Sequence, residues 1–107
     1  MHHRRIGRAL ALAALVLVPG LLAAAKTNHR VSMEAMKYAP ETLEVAVGDT
    51  VTWVNRDPVP HTVSAGKALE SGTIEAEREW KYVARQKGRV DYICRFHPGM
   101  KATLIVK

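Results

Sequence analysis

Short runs in which apolar and polar residues alternate make up most of this 107-residue sequence, and they favour β-strands. An alternating run buries one face of a strand and exposes the other, whereas a helix needs apolar residues three or four positions apart. No segment carries a convincing helical period. Turn-forming residues separate the successive runs. The predicted strands cover residues 31–36, 43–47, 51–54, 62–64, 71–74, 79–83, 90–94 and 101–106.

Seven to eight short strands with regular turn signals predict an all-β fold, an antiparallel β-sandwich in a single domain. We expect residues 26–30 to be a mobile polar lead-in. Residues 38–40 end in Pro40 and are expected to break the first strand. Residues 67–77 have the weakest pattern, so they hold either a short strand at 71–74 or mostly loop.

The first 25 residues have the layout of a secretory signal peptide. Three arginines and no acidic residue precede an apolar run at residues 9–22, and three alanines follow it. The run is short for a membrane span and a Pro-Gly pair interrupts it, so we expect cleavage after Ala25. Retention as a membrane anchor is the alternative. The predicted domains are therefore a signal peptide at 1–25 and an exported domain at 26–107, with no membrane contact after cleavage.

The charge and the single cysteine limit the possible functions. Sixteen basic and ten acidic residues give a net charge of +6, of which the three arginines of the signal peptide account for half. The remaining charges are mixed in sign, so we expect no nucleic-acid partner. Cys94 is the only cysteine, which excludes an internal disulfide. A lone thiol in an oxidising compartment needs a reason to be there, and a metal bond is one.

The chemistry is concentrated in the run C-R-F-H-P-G-M at residues 94–100. It places the thiol of Cys94, the imidazole of His97 and the thioether of Met100 in one turn between two predicted strands. A second imidazole, His61, lies upstream. Two imidazoles, one thiolate and a weak axial thioether are the ligands of a blue-copper site. Because the sulfur donors favour Cu(I) and imidazole serves both oxidation states, this set suits reversible one-electron chemistry.

Each of these residues alone has a simpler explanation. A cysteine or a methionine can be ordinary core, and a histidine can be an ordinary loop residue. His61 and His97 are, however, the only histidines after the lead-in. Zinc is a possible occupant of two histidines and a cysteine, although zinc sites rarely include methionine. We predict one copper ion per chain and no enzyme activity, because no candidate for acid–base or nucleophilic catalysis remains.

Four stretches of the sequence resemble the cupredoxins, the family of type-1 blue-copper proteins, and within it they are most similar to the amicyanins. These stretches are residues 36–38, 47–56, 60–61 and 94–100. Two residues separate His97 from Met100, as in amicyanin-like proteins, whereas plastocyanins and pseudoazurins have a longer loop. The resemblance implies a Greek-key sandwich with a single type-1 copper at one end. It also implies electron transfer in a bacterial periplasm.

The resemblance gives Asn55 a supporting role, because it lies six positions before His61, as in the family. There this asparagine helps to tie the two ligand loops together and forms a hydrogen bond near the cysteine sulfur. A plain turn asparagine is the alternative. In this fold the downstream histidine, here His97, usually reaches the surface inside an apolar patch. The residues expected to form this apolar docking patch are Pro58, Pro60, Phe96 and Pro98.

Two positions depart from the amicyanin pattern. Amicyanins typically carry proline before the second histidine and a bulky apolar residue before the methionine, and here these positions are Phe96 and Gly99. By resemblance, the electron donor is a periplasmic dehydrogenase that oxidises methylamine and the acceptor is a c-type cytochrome. We expect a monomer.

A periplasmic copper-binding or copper-delivery protein is the alternative function. Met33 and Met36 support it slightly as a possible Cu(I) pair, although two methionines on a predicted strand are usually core. A copper enzyme is the third class. Copper oxidases and nitrite reductases need further histidine clusters and domains, and this sequence has neither.

Overall fold

A computed structural model describes residues 25–107, so the signal-peptide prediction falls on residues outside the described part. Seven strands form there: β1 (Asn28–Glu34), β2 (Lys37–Ala39), β3 (Thr42–Val45), β4 (Thr50–Asn55), β5 (Glu79–Val83), β6 (Gly88–Cys94) and β7 (His97–Val106). Within these residues, no helix has the length and apolar character to cross a membrane.

The strands form two sheets that pack as a β-sandwich, which confirms the predicted fold class. One sheet has the order β2-β1-β4-β5 and the other the order β3-β7-β6. The sheets are mixed rather than purely antiparallel, because β1 pairs in parallel with β4 and β3 pairs in parallel with β7. Parallel neighbours cannot be joined by a tight hairpin, so the chain passes through the other parts of the fold between them.

The alternating pattern of the sequence accounts for the core between the sheets. Along β7, every second residue from Met100 to Val106 is buried. Val31 and Met33 of β1 and Trp53 of β4 are fully buried in the facing sheet. Cys94, at the end of β6, belongs to the same apolar cluster, so the predicted metal ligand lies at the edge of the core.

We expected residues 26–30 to be a mobile lead-in, and this prediction was wrong for residues 28–30. β1 begins at Asn28 and runs alongside β4, where the Cα of Asn28 is paired with that of Thr50. Asp49 holds this polar stretch, because its carboxylate accepts hydrogen bonds from the backbone N–H of Thr27 (3.0 Å) and from Nε2 of His29 (2.9 Å). The partner is twenty residues away, which a local pattern does not reveal.

The expected break at residues 38–40 was also wrong, because Lys37–Ala39 forms β2 and pairs with β1. Ala35 and Met36 make the turn between them, with φ values of 55° and 61°. The predicted strands at 62–64 and 71–74 are isolated bridges instead. The turn between the predicted strands at 90–94 and 101–106 is shorter than expected, since β7 begins at His97.

Between residues 61 and 74, where these bridges lie, a side-chain hydrogen bond replaces part of the backbone pairing of a strand. The N–H of Val63 donates to Oγ of Ser71 at 2.8 Å, while the N–H of Ser71 donates to the carbonyl of Val63 at 3.0 Å. Because a hydroxyl takes the place of a backbone carbonyl, the segment pairs at single residues and does not extend into a ladder.

The Asp49 carboxylate predicts a pH dependence of stability. The hydrogen bonds from the Ala46 N–H, the His29 ring and the Thr27 N–H lower its pKa to about 2. An unfolded aspartate titrates at a pH of about 3.9, so the stabilisation by the Asp49 carboxylate is complete above that pH and is lost as the pH falls towards 2. We expect Asp49→Asn to lower the free energy of unfolding at pH 6, and the difference from wild type to shrink on acidification.

Urea unfolding of the metal-free protein at a series of pH values measures this difference. Glu75→Gln removes an exposed carboxylate and is the matched control. A difference between wild type and Asp49→Asn that is the same at every pH would contradict the assignment.

Candidate metal centre

A tight hairpin brings the thiol and one imidazole together. Cys94 ends β6 and is fully buried, residues 95–96 form a two-residue turn, and His97 begins β7. The Cα atoms of Cys94 and His97 are paired across the hairpin, and the register is irregular between Ile93 and Cys94. Such an irregularity bends a strand and changes the direction of its side chains, and it is common next to functional sites.

His61 enters from a different part of the chain and faces the thiol. Its backbone forms a bridge with Ile74, with N···O distances of 3.1 and 2.8 Å. The ring is fully buried, and its Nδ1 lies 3.7 Å from Sγ of Cys94. Two ligand atoms that share one metal at bond lengths of about 2.0–2.3 Å lie roughly 3.6 Å apart in tetrahedral geometry. The separation between His61 and Cys94 therefore fits two ligands of one ion.

Asp57 determines which nitrogen of His61 faces the thiol. Its Oδ2 lies 2.7 Å from Nε2 of His61, and the residue is only 6% exposed. A carboxylate accepts hydrogen bonds and does not donate them, so Nε2 carries the proton and Nδ1 presents its lone pair to Cys94. Hydrogen bonds of this kind orient metal-binding histidines and raise their basicity as ligands.

The surroundings of Asp57 keep it ionised. Burial alone would raise its pKa, but the hydrogen bonds from the His61 ring and from the backbone N–H groups of Met36 and Ala35 outweigh burial and hold the pKa below its ordinary value. The two N–H groups lie 3.0 and 2.7 Å from the carboxylate oxygens. One side chain therefore joins the turn between β1 and β2 to the candidate metal ligand.

Thr62, the residue after His61, contacts the sulfur and the hairpin. Its backbone N–H donates to Sγ of Cys94 at 3.4 Å, and its Oγ1 accepts a hydrogen bond from the N–H of Arg95 at 2.9 Å. An N–H donor stabilises negative charge on the sulfur and so favours the thiolate that binds metal. Thr62 was not among the predicted site residues, because a threonine in a predicted strand carries no signal of this role.

Asn55 is fully buried and supports the loop that leads to His61. Its Nδ2 donates to the carbonyls of Val59 (2.8 Å) and Ile74 (2.9 Å), and its Oδ1 accepts from the N–H of Asp57 (2.9 Å). These bonds hold both the loop at residues 56–60 and the residue that bridges to His61. The described hydrogen bond to the sulfur comes from Thr62, so the role predicted for Asn55 near the sulfur remains a prediction.

His97 and Met100 lie beside this pair. The rings of His61 and His97 have centroids 5.4 Å apart and are inclined at 74°. Met100 is 4% exposed and belongs to the same core cluster as Cys94. Within residues 25–107, no three histidine, cysteine, aspartate or glutamate side chains are close enough together to hold an ion. The separation between Nδ1 of His61 and Sγ of Cys94 fits two ligands of one ion, and the ring of His97 lies beside that of His61.

The surface beside Met100 is open. A cavity of about 240 Å³ is lined by Met100 together with Met36, Tyr38 and Gly99. A Cβ atom added at Gly99 would meet no other atom within 4 Å. The departure at Gly99 therefore leaves space next to the candidate axial ligand, where a bulky residue is typical of amicyanins.

Exposed apolar side chains flank both histidines. Phe96 is 48% exposed and Pro98 is exposed on either side of His97, while Pro58 and Pro60 are exposed before His61. Because the two histidine rings are adjacent, these two short segments meet at one end of the sandwich. Val59 and Met36 are 38% and 39% exposed and add to the apolar surface, although the sequence analysis did not assign them to it.

Comparisons with known proteins point to one family. A family model described as "Cupredoxin-like domain" matches residues 7–106 of the chain. The chain is 37% identical to amicyanin from Paracoccus denitrificans over 83 residues, which cover 72% of this chain. It is 29% identical to the methylamine utilization protein MauL from Methylophilus methylotrophus over 74% of this chain and 49% of that protein. The match spans 63% of the length of the amicyanin.

Solved structures agree with the sequence comparison. A methionine-to-alanine variant of amicyanin in the Cu(I) form superposes with a TM-score of 0.69 at 31% identity, covering 85% of this chain and 90% of that one. A reduced tryptophan-to-tyrosine variant of amicyanin also has a TM-score of 0.69, at 32% identity, covering 82% of this chain and 88% of that one.

The role of Asp57 is testable by substitution. We expect Asp57→Asn to lower the free energy of unfolding of the metal-free protein by about 1–3 kcal/mol, because the amide cannot satisfy all three donors that now bind the carboxylate. Copper affinity should fall by about 10–100-fold, as is usual when the partner of a metal-binding histidine is removed. Urea unfolding and competition with a chelator measure the two effects.

Asp91→Asn is the control, since Asp91 is exposed and accepts hydrogen bonds from Arg89 and Thr103 away from His61. If Asp57→Asn changed stability and copper affinity no more than Asp91→Asn does, the proposed orientation of His61 would be wrong.

Proposed function

The chain belongs to the cupredoxin-like family, and from this membership we propose that it is a periplasmic one-electron carrier, not an enzyme, with a single type-1 copper. His61, Cys94, His97 and Met100 would hold the metal. The observation that carries the proposal is the 3.7 Å separation between Nδ1 of His61 and Sγ of Cys94 in a buried site. Copper, when bound, would supply the change between Cu(II) and Cu(I).

The surroundings of the ligands suit fast electron exchange. Asp57 holds the His61 ring, Thr62 holds the sulfur, and Asn55 holds the intervening loop. Ligands that are fixed by buried hydrogen bonds change position little when the charge of the metal changes, so little rearrangement opposes the transfer. A delivery protein needs the opposite property, because it must release its metal.

The proposed route to partners passes through His97. This ring is half-buried and lies between Phe96 and Pro98, two exposed residues of the apolar docking patch. Electron-transfer complexes are small and short-lived, and an apolar patch without fixed ion pairs suits such encounters. The names of the similar proteins, amicyanin and a methylamine utilization protein, support a methylamine-oxidising dehydrogenase as donor. A c-type cytochrome is the proposed acceptor.

Copper delivery is the second candidate function, and the structure weakens the argument for it from the two methionines of the first predicted strand. Met33 is fully buried in the core, whereas Met36 is 39% exposed in the turn after β1. Two thioethers in such different environments do not form a surface Cu(I) pair. Met36 instead lines the cavity beside Met100.

A charge in the docking patch should slow transfer without changing the copper site. We expect Phe96→Glu to lower the second-order rate of electron transfer to a c-type cytochrome roughly tenfold, because a lost apolar contact and a desolvated charge together weaken docking by about 1.4 kcal/mol. Stopped-flow absorbance measures the rate, and the visible spectrum checks the copper.

Gln86→Glu is the control, because it adds the same charge in the turn before β6, at the opposite end of that strand from Cys94. An equal rate for Phe96→Glu and Gln86→Glu would place the docking surface elsewhere. If Phe96→Glu bleached the copper band, Phe96 would support the site itself rather than partner docking.

A further inference from the structure

Both tryptophans and all three tyrosines of the sequence form one unbroken series of ring contacts across the sandwich. The ring centroids are 5.9 Å apart for Tyr82 and Trp80, 5.5 Å for Trp80 and Trp53, 5.6 Å for Trp53 and Tyr92, and 4.8 Å for Tyr92 and Tyr38. The indole N–H of Trp53 also donates a hydrogen bond to the hydroxyl of Tyr92 at 3.0 Å. The aromatic series therefore runs from β5 to β2, the two edge strands of one sheet, by way of Tyr92 in the other sheet.

The inner end of the series reaches the candidate copper ligand. The hydroxyl of Tyr38 donates to the carbonyl of Thr62 at 2.5 Å, and the N–H of the same threonine donates to Sγ of Cys94 at 3.4 Å. Two hydrogen bonds and one residue thus link the last ring to the sulfur. Hydrogen bonds and packed rings couple electronic states far better than an equal distance of open space.

The outer end of the series lies at the edge of a sheet. β5 is an edge strand, and its Trp80 and Tyr82 are half-buried. Trp53, by contrast, has no exposed surface. A dissolved one-electron oxidant can therefore reach the indole of Trp80 but not that of Trp53. Indole is among the side chains that give up an electron most readily, so Trp80 is the natural entry point.

We propose that the aromatic series is an internal electron route between the copper site and the β5 edge, which repairs Trp80 after attack by a radical one-electron oxidant. The proposal rests on the copper function proposed above. The oxidant takes one electron from Trp80, which becomes a radical cation. With Cu(I) held at Cys94, the rings would carry one electron from the site to Trp80, which would restore the indole and leave the metal as Cu(II).

The buried rings of Trp53, Tyr92 and Tyr38 act only as a bridge between Trp80 and the copper site. The route would be separate from the proposed exit at His97, because it leaves the site on the Tyr38 side of Cys94.

Pulse radiolysis with the azide radical tests the route, because this radical oxidises exposed indole. In the Cu(I)-loaded protein, the absorbance of the indole radical should decay while the blue thiolate-to-Cu(II) band grows. Both changes should follow the same first-order rate, independent of protein concentration. In the Zn(II)-loaded protein the indole radical should persist, since zinc has no redox chemistry.

Substitutions locate the route. Trp80→Phe should abolish the indole radical, and Trp53→Phe should leave it formed while the growth of the blue band is lost. Val51→Ala, which loosens the same buried part of β4 without removing a ring, should keep the growth and controls for a disturbed core. Near-ultraviolet circular dichroism verifies that each variant is folded.

Unchanged growth of the blue band in Trp53→Phe would overturn the route, and so would a rate proportional to protein concentration. A protein that takes up Cu(II) without any blue band would instead overturn the copper function itself. That failure is visible in the Cu(II)-loaded protein, before it is reduced for the pulse experiment, so the two are distinguishable.

Discussion

The hydrogen bond between Asp57 and His61 is the interaction on which the rest of the site depends. It directs the lone pair of Nδ1 towards Cys94. The fold holds the carboxylate in place for this bond, because the carboxylate also accepts hydrogen bonds from the N–H groups of Ala35 and Met36. These two residues have positive φ values, a conformation that side-chain-bearing residues adopt at a cost. The carboxylate offsets that cost and joins the turn to the site.

Buried polar side chains elsewhere in the fold also have hydrogen-bond partners. Within residues 25–107, no buried side-chain nitrogen or oxygen lacks a hydrogen-bond partner. Asn55 and Thr62 use their side chains to hold backbone groups of the loops around His61 and Cys94. A buried polar network in which every group is satisfied is rigid, and rigidity is what an electron carrier requires of its ligands. Stability and proposed function therefore depend on the same contacts.

Sequence patterns predicted the all-β class, six of the seven strands and a local ligand motif, since strand periodicity and the spacing at residues 94–100 are local. They failed where the partner is distant. The polar start of β1 is held by Asp49, and β2 forms beside β1 although Pro40 follows it. Asp57 was not predicted as part of the site, because its role depends on a turn twenty-one or more residues earlier. No periodicity encodes such contacts.

Titration of the protein with Cu(II), followed by visible absorption, tests the central claim most directly. The account predicts an intense blue thiolate-to-copper band that saturates at one copper per chain. The band should be lost in Cys94→Ala, lost or shifted in His61→Ala, and altered in Met100→Ala. A colourless complex, or a spectrum that is the same without Cys94, would contradict the account and favour copper delivery or a structural zinc site.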